Sequence, residues 1–389
     1  MIKYPLATET WDEEELEAMK RVISSNRFSM GPEVENFEKG FANYFGSKYA
    51  IMVNSGSSAN LLCIAALFFH SKYKLKKGDE VIVPAVSWST TYAPLQQYGL
   101  KVKFVDIDLK TLNIDIKKLK EAVTEKTKLI FTVNLLGNSN DFDAIQEIIK
   151  GKNIILLEDN CESMGAKYKG KFLGTFGVMG TFSMFYSHHI STMEGGMIVT
   201  DDLELADILK SLRAHGWTRN ISNESELHNK NEDTFYEMFN FILPGYNVRP
   251  LELEGAIGSV QLKKLENIVE NRRENAKYFL GTFGELKSIL IQKEIGESSY
   301  FGFSIIVKET SKFSREDLLR VFRKNNIECR PIVAGNFTRN SVIKYFDYEI
   351  HDTLKNADFL HENGLFIGNH HYDCKDKLKQ IYKIIQELD

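Results

Sequence analysis

The sequence predicts an α/β protein, a mostly parallel mixed sheet covered by helices with a smaller α+β domain after it, and three observations carry that expectation. Between about residues 47 and 202, short runs rich in Val and Ile alternate with amphipathic stretches, the pattern of strands buried on both faces. Polar residues follow the ends of those runs, as where Ile154-Ile155-Leu156-Leu157 leads into Glu158-Asp159, and open sheets take ligands at the carboxyl ends of their strands. The 389 residues, 43% hydrophobic and 26% charged, hold enough apolar material for a large core and one satellite.

Taken in order, residues 10 to 45 are predicted helical and broken by the tight Ser29-Met30-Gly31-Pro32 turn. Strands are predicted at Val81–Val83, Val102–Ile107, Leu129–Val133, Ile154–Leu157, Thr181–Phe185 and Met197–Val199. The polar stretch Asn220–Thr234 reads as an exposed loop. A helical stretch after Pro250 continues through Leu265 and Arg273 to Phe283. A second unit then starts near residue 286, with a strand over Phe301–Val307, a helix over Arg315–Asn325 and a turn at Cys329-Arg330-Pro331. The division expected is a large domain over residues 1–250, including the N-terminal helical segment, and a small C-terminal domain over 251–389.

Lys plus Arg number 49 against 53 for Asp plus Glu, a net charge of -4, so no overall field recruits nucleic acid or an anionic membrane. Cys63, Cys161, Cys329 and Cys374 are scattered, with no C-x-x-C pair, which suggests neither a metal site nor a disulfide framework. The start, Met1-Ile2-Lys3-Tyr4-Pro5, lacks an apolar signal core, and no run of about 18 uncharged apolar residues occurs. A cytoplasmic location is expected.

Small and hydroxyl residues open an apolar helix at Asn54-Ser55-Gly56-Ser57-Ser58-Ala59-Asn60. Free N–H groups and the helix dipole make such a start an anion site, although alone it reads equally as serine N-capping. Trp88 follows a strand end and offers a flat face to an aromatic ligand, or fills core. Asp159 suits a protonated pyridine nitrogen, which turns such a ring into an electron sink; alone it also reads as a helix cap. Ser183, at another strand end, offers a second hydroxyl for phosphate. His188 and His189 precede Glu194-Gly195-Gly196. A histidine near neutral pKa carries protons, and a lone histidine is more often structural.

In order and spacing, these pieces resemble the DegT/DnrJ/EryC1/StrS sugar aminotransferases over essentially the whole chain, which implies the aspartate aminotransferase fold (pyridoxal phosphate fold type I). The resemblance implies that Gly56, Ser57 and Ser183 hold the cofactor phosphate, that Asp159 meets the ring nitrogen and Trp88 the ring, and that Glu162 stands near the ring oxygen. Tyr246-Asn247-Val248-Arg249 resembles the segment whose asparagine, here Asn247, reaches the phosphate of the neighbouring subunit, which implies a homodimer with active sites at its interface. His215 and Arg219 are candidates for the substrate or its diphosphate from either subunit, and Arg330 for the sugar; a buried histidine and a solvated arginine are the competing readings. No metal ligand set is expected.

One departure carries the functional reading. The family's cofactor-binding lysine stands six residues before the glutamate of the Glu-Gly-Gly turn, and here that position is His188. No lysine occurs between Lys171 and Lys210. Without a lysine amine, the cofactor is expected to rest noncovalently as pyridoxamine phosphate, with His188 taking the proton from its methylene. The Ser-His-His and Met-Glu-Gly-Gly pattern is similar to a dehydratase branch of the family. That implies 3-deoxygenation of a nucleotide-linked 4-keto-6-deoxyhexose, GDP-linked by resemblance, for dideoxysugar synthesis, with L-glutamate regenerating the amine and ammonia released. A related branch uses an iron–sulfur cluster; four scattered cysteines argue against one. The rival readings are a true nucleotide-sugar aminotransferase and a lysine-less regulatory binder of the cofactor.

Overall fold

A computed structural model describes residues 3–389. Eight strands form one sheet in the order Tyr49–Val53, Gly196–Thr200, Met179–Ser183, Ile155–Asp159, Thr127–Val133, Glu80–Pro84, Lys101–Val105 and Tyr348–Ile350. Only Gly196–Thr200 runs against the rest, antiparallel to both of its neighbours. Every residue of Glu80–Pro84, Ile155–Asp159, Met179–Ser183 and Gly196–Thr200 is buried, and this double-sided burial is why the strands read as continuous apolar runs.

The strands differ from their expected bounds by up to two residues, and in two cases the reason is visible. The strand expected at Thr181–Phe185 begins at Met179, because Met179 and Gly180 already pair with Leu157 and Glu158. The strand expected to reach Ile107 stops at Val105. There Asp106 turns away to accept from the backbone N–H groups of Asn356 and Ala357. Cys329–Arg330, expected as a turn, is a short strand paired with Phe366 and Ile367; Pro331 has no N–H to extend it. Tyr348–Ile350 pairs in parallel with Val102–Phe104, so residues beyond 250 also contribute an edge strand to the large sheet.

Helices start where caps are available. Asp12 and Glu15 form a capping box at Glu13–Ser25, Gly31-Pro32 opens Pro32–Phe45, and Ser55 caps Gly56–Phe69. One face of the sheet is filled by Phe37, Phe41, Phe45 and Phe182, with Phe182 4.8 Å from Phe45 and 5.1 Å from Phe41. Truncating a ring so enclosed costs about 3–5 kcal/mol. The helix Glu252–Phe283, 32 residues and about 48 Å long, joins the two cores. Near its start Gly255 lets it approach Pro32–Phe45: a Cβ there would lie 2.6 Å from Val34 N. Near its end Phe279 stacks on Phe303 at 4.3 Å, within the core of the antiparallel sheet Ile289–Leu290, Gly302–Val307, Gly364–Gly368 and Cys329–Arg330. No helix among the described residues is long and apolar enough to cross a membrane.

Candidate active site

The parallel strands deliver their following loops to one edge, and a cavity of about 420 Å³ opens there. Ser55–Ser57 arrive after the strand ending at Val53, Ser87 and Trp88 after Pro84, Leu135 after Val133, Cys161 and Glu162 after Asp159, and Phe185, Ser187 and His188 after Ser183. Phe301, Arg330, Pro331 and Phe366 close it from the small sheet, and Leu6 and Ala7 from the N-terminal segment. Among the described residues, no lysine lines it.

One end is shaped by glycine. A Cβ at Gly196 would sit 2.2 Å from Ser55 O and 2.7 Å from Gly56 N, and one at Gly56 would sit 2.7 Å from Ser183 Cβ. Only bare backbone lets these loops meet. Ser55 Oγ accepts from Ser58 N at 3.1 Å, while Ser57 Oγ donates to Thr90 at 2.9 Å. The result is a helix N-terminus with hydroxyls around it, facing the cavity, which is the form of a phosphate cradle.

Asp159, 5% exposed, is clamped at the end of its strand. Its Oδ2 accepts from Asn60 Nδ2 at 2.8 Å and Thr91 Oγ1 at 2.7 Å, and its Oδ1 accepts from Cys161 N at 3.2 Å. Thr181 in turn donates to Asn60 Oδ1 at 2.7 Å, and Ser87 pairs with Thr91 at 2.7 Å. A carboxylate held this way keeps its aim. The neighbouring Glu158 points elsewhere, accepting from the backbone N–H groups of Gly174, Phe176 and Gly177. Trp88 is 59% exposed, on the cavity wall rather than in the core.

His188 lies in the loop between Ser183 and the Glu194-Gly195-Gly196 turn, its ring 5.2 Å from Phe301 and its Nδ1 buried without a partner. Burial, reinforced by the charge of Arg272, holds its pKa down at about 4, so the ring is neutral and able to accept a proton. His189 is fully buried and pairs with Ser299 O at 3.1 Å, a structural tie to the small sheet. Burial pushes Glu162 up to about 7 even though it accepts from Leu136 N at 3.0 Å.

Gly56, Ser57, Trp88, Asp159, Glu162, Ser183, His188 and Arg330 thus meet around one cavity. Asn247, His215 and Arg219 do not line it in the single chain. Asn247 is exposed, accepting from Arg249 Nε at 3.1 Å, although the adjacent Val248 carbonyl takes the Asn54 N–H beside the cradle. His215 packs on Trp217 at 4.7 Å, and the Arg219 guanidinium lies over Trp217 and Phe239. Asn60, Thr91, Thr181 and Phe301 escaped the sequence reading. Of these only Asn60 carried a signal, as the last residue of the hydroxyl-rich helix start.

A model of the DegT/DnrJ/EryC1/StrS aminotransferase family matches residues 9–386. A GDP-4-keto-6-deoxy-D-mannose 3-dehydratase of Yersinia pseudotuberculosis is 59% identical over 389 residues, covering 100% of this chain and 99% of that protein. The Escherichia coli GDP-4-keto-6-deoxy-D-mannose-3-dehydratase, solved with bound hydrated PLP, superposes with a TM-score of 0.98 at 59% identity over 100% of both chains. A GDP-4-keto-6-deoxymannose-3-dehydratase solved with a trapped PLP-glutamate geminal diamine gives 0.97 at 58% identity, again over 100% of both chains.

Proposed function

The chain belongs to the DegT/DnrJ/EryC1/StrS aminotransferase family, and on that premise we infer that it removes the C3 hydroxyl of GDP-4-keto-6-deoxy-D-mannose. Glutamate is the amino donor, and ammonia and 2-oxoglutarate leave as co-products. The observation that carries this reading is His188 on a cavity that no lysine lines among the described residues. Amino transfer in this family needs a lysine amine there; a dehydratase needs a base that does not capture the cofactor.

The residues fit pyridoxal or pyridoxamine phosphate. Gly56 and Gly196 lack the Cβ that would strike Ser183 and Ser55, so the loops close into a cradle, and the helix N-terminus at Gly56 suits a phosphate dianion. Gly56, Ser57 and Ser183 would hold that phosphate, with Asn247 of a second subunit. Asp159 would keep the ring nitrogen protonated, Trp88 would cover a ring face, and Glu162 would face the ring oxygen. Bound there, the cofactor supplies an amine that condenses with a ketone and a protonated ring that accepts electrons. His188 takes and returns protons, beside the apolar small-sheet wall of Phe301, Pro331 and Phe366. Arg330, exposed and lining the cavity, is placed to meet the sugar or the donor carboxylate. His215 and Arg219, which do not line the cavity of their own chain, would meet the substrate or its diphosphate from a neighbouring subunit.

A homodimer accounts for two features. Asn247 is exposed on its own chain, and Phe235, Tyr236, Phe239 and Phe241, 54–69% exposed, share one segment; clustered exposed aromatics mark an interface. We place the enzyme in the cytoplasm, with the nucleotide sugars it consumes. The decisive assay supplies the protein with pyridoxamine phosphate, glutamate and GDP-4-keto-6-deoxymannose. Release of the 3-deoxy ketosugar with equimolar 2-oxoglutarate is expected, and a stable GDP-linked amino sugar as product would overturn the assignment.

A further inference from the structure

Arg272, within the Glu252–Phe283 helix, is 5% exposed. The arginines paired with carboxylates among the described residues are Arg213, Arg315, Arg320 and Arg339, not Arg272. Its Nη1 donates only to the carbonyls of Phe301, at 3.0 Å, and Tyr300, at 3.4 Å, and its Nε is buried without a partner. Tyr4 and Cys374, the ionisable groups placed to offset the charge, keep their protons because burial pushes both upward, Cys374 to about 11. A guanidinium buried without a counter-ion is costly and uncommon in a core.

What it holds is the back wall of His188. Phe301, fixed by Arg272 through its carbonyl and by Leu136 O through its N–H at 3.0 Å, presents its ring to His188 at 5.2 Å and to His189 at 5.9 Å. Tyr300 is held at φ +45°, a strained backbone for a non-glycine residue. Asn369 Nδ2 braces the same stretch by donating to Arg272 O at 3.0 Å and Tyr300 O at 2.9 Å.

We propose that Arg272 is a positioning residue for His188: it fixes the Phe301 ring behind the imidazole, and its unpaired positive charge opposes a second positive charge on that imidazole. The proposal rests on the reading of His188 as the proton acceptor. Burial acts first on His188 and Arg272 second, both against the imidazolium, with the Phe185 backbone carbonyl, an acceptor for the ring, opposing them. The other charged or titratable groups facing it are Asp159, Cys161, Glu162, Glu194 and Arg330 across the cavity and His189 beside it. None of the cavity carboxylates outweighs the arginine.

The test is an imidazole titration by NMR of full-length, cofactor-free protein labelled with ¹⁵N-histidine, the His188 signal being assigned by its loss in His188→Asn. Wild type is expected to stay neutral well below pH 6, Arg272→Met to titrate on the order of one pH unit higher, and Arg272→Lys, which keeps the charge, to titrate like wild type. Should Arg272→Met not fold, Arg272→Gln keeps a donor for Phe301 O and carries the same expectation. A folded Met or Gln variant with the wild-type titration overturns the electrostatic role. Arg272→Lys titrating with the uncharged variants does so equally. Failure of the underlying reading shows separately, as full dehydratase turnover by His188→Asn.

Discussion

Asn60 Nδ2 donates to Asp159 Oδ2 at 2.8 Å across 99 residues of sequence, so the helix proposed to hold a cofactor phosphate also aims the carboxylate that would meet its ring. The two proposed contacts are therefore coupled. Hydrogen bonds to charged groups contribute about 1.5–3 kcal/mol. Asn60→Ala, which also removes the nearer acceptor of the Thr181 hydroxyl, is expected to weaken cofactor binding by about tenfold or more. Equilibrium titration followed by cofactor absorbance checks this; unchanged affinity would mean that Thr91 and the Cys161 N–H suffice to hold Asp159.

The same substitution at two glycines is expected to have opposite signs. At Gly196 a methyl meets backbone, 2.2 Å from Ser55 O, and nothing there can yield without opening the cradle. Gly196→Ala is expected to destabilise the protein by about 1–3 kcal/mol and to lose the cofactor. Gly281, in the last turns of the Glu252–Phe283 helix, has open space around its Cα. Gly281→Ala is expected to stabilise it by up to about 0.5–1 kcal/mol. Thermal melts of the two variants beside wild type decide the matter.

What could be read from the sequence follows from what each feature needs. Ile155–Asp159 is legible because double burial forces a continuous apolar run, and the polar pair at its end marks where a ligand would lie. The direction of Gly196–Thr200 is not legible, because a buried strand has the same composition whichever way it runs. Tyr348–Ile350 is too short and too polar to stand out until its partner Val102–Phe104 is known. In the site, His188 is visible through its distance from Glu194-Gly195-Gly196. The clamp of Thr91 and Thr181 is ordinary polar sequence whose meaning arises only when three strand ends converge. Arg272 is hidden in Glu270-Asn271-Arg272-Arg273-Glu274, a run that reads as a solvated helix face.

Glu254 gives a pH signature of stability. It caps the start of its helix by accepting from Leu251 N at 2.8 Å, and burial followed by the nearby Glu194 raises its pKa to about 7. The folded protein therefore retains a proton that the unfolded chain releases near the ordinary glutamate value. Between about pH 4.5 and 7 this group makes folding less favourable as pH rises, and its contribution is level outside that window. Glu254→Gln keeps the acceptor and removes the titration. The difference in Tm between variant and wild type is expected to grow in the variant's favour from pH 4.5 to 7, and a pH-independent difference would contradict the assignment.

His188 decides between proton carriage and covalent capture. A positioned base contributes about 10²–10⁴-fold, while the cradle at Gly56 and the Asp159 clamp lie on other loops. His188→Asn is therefore expected to lower dehydratase turnover by at least about 10²-fold, with cofactor affinity within a few-fold of wild type. Burial and the Arg272 charge hold the His188 pKa down at about 4, so the step that needs the base form is expected to lose rate only as the pH drops towards that value. His188→Lys restores an amine to the cavity, and borohydride treatment after adding pyridoxal phosphate should leave a reduced covalent adduct at residue 188 of that variant and none in wild type. Mass spectrometry of the digested protein reads this directly, and an adduct on wild-type protein within the cavity would show that a lysine from elsewhere reaches the cofactor.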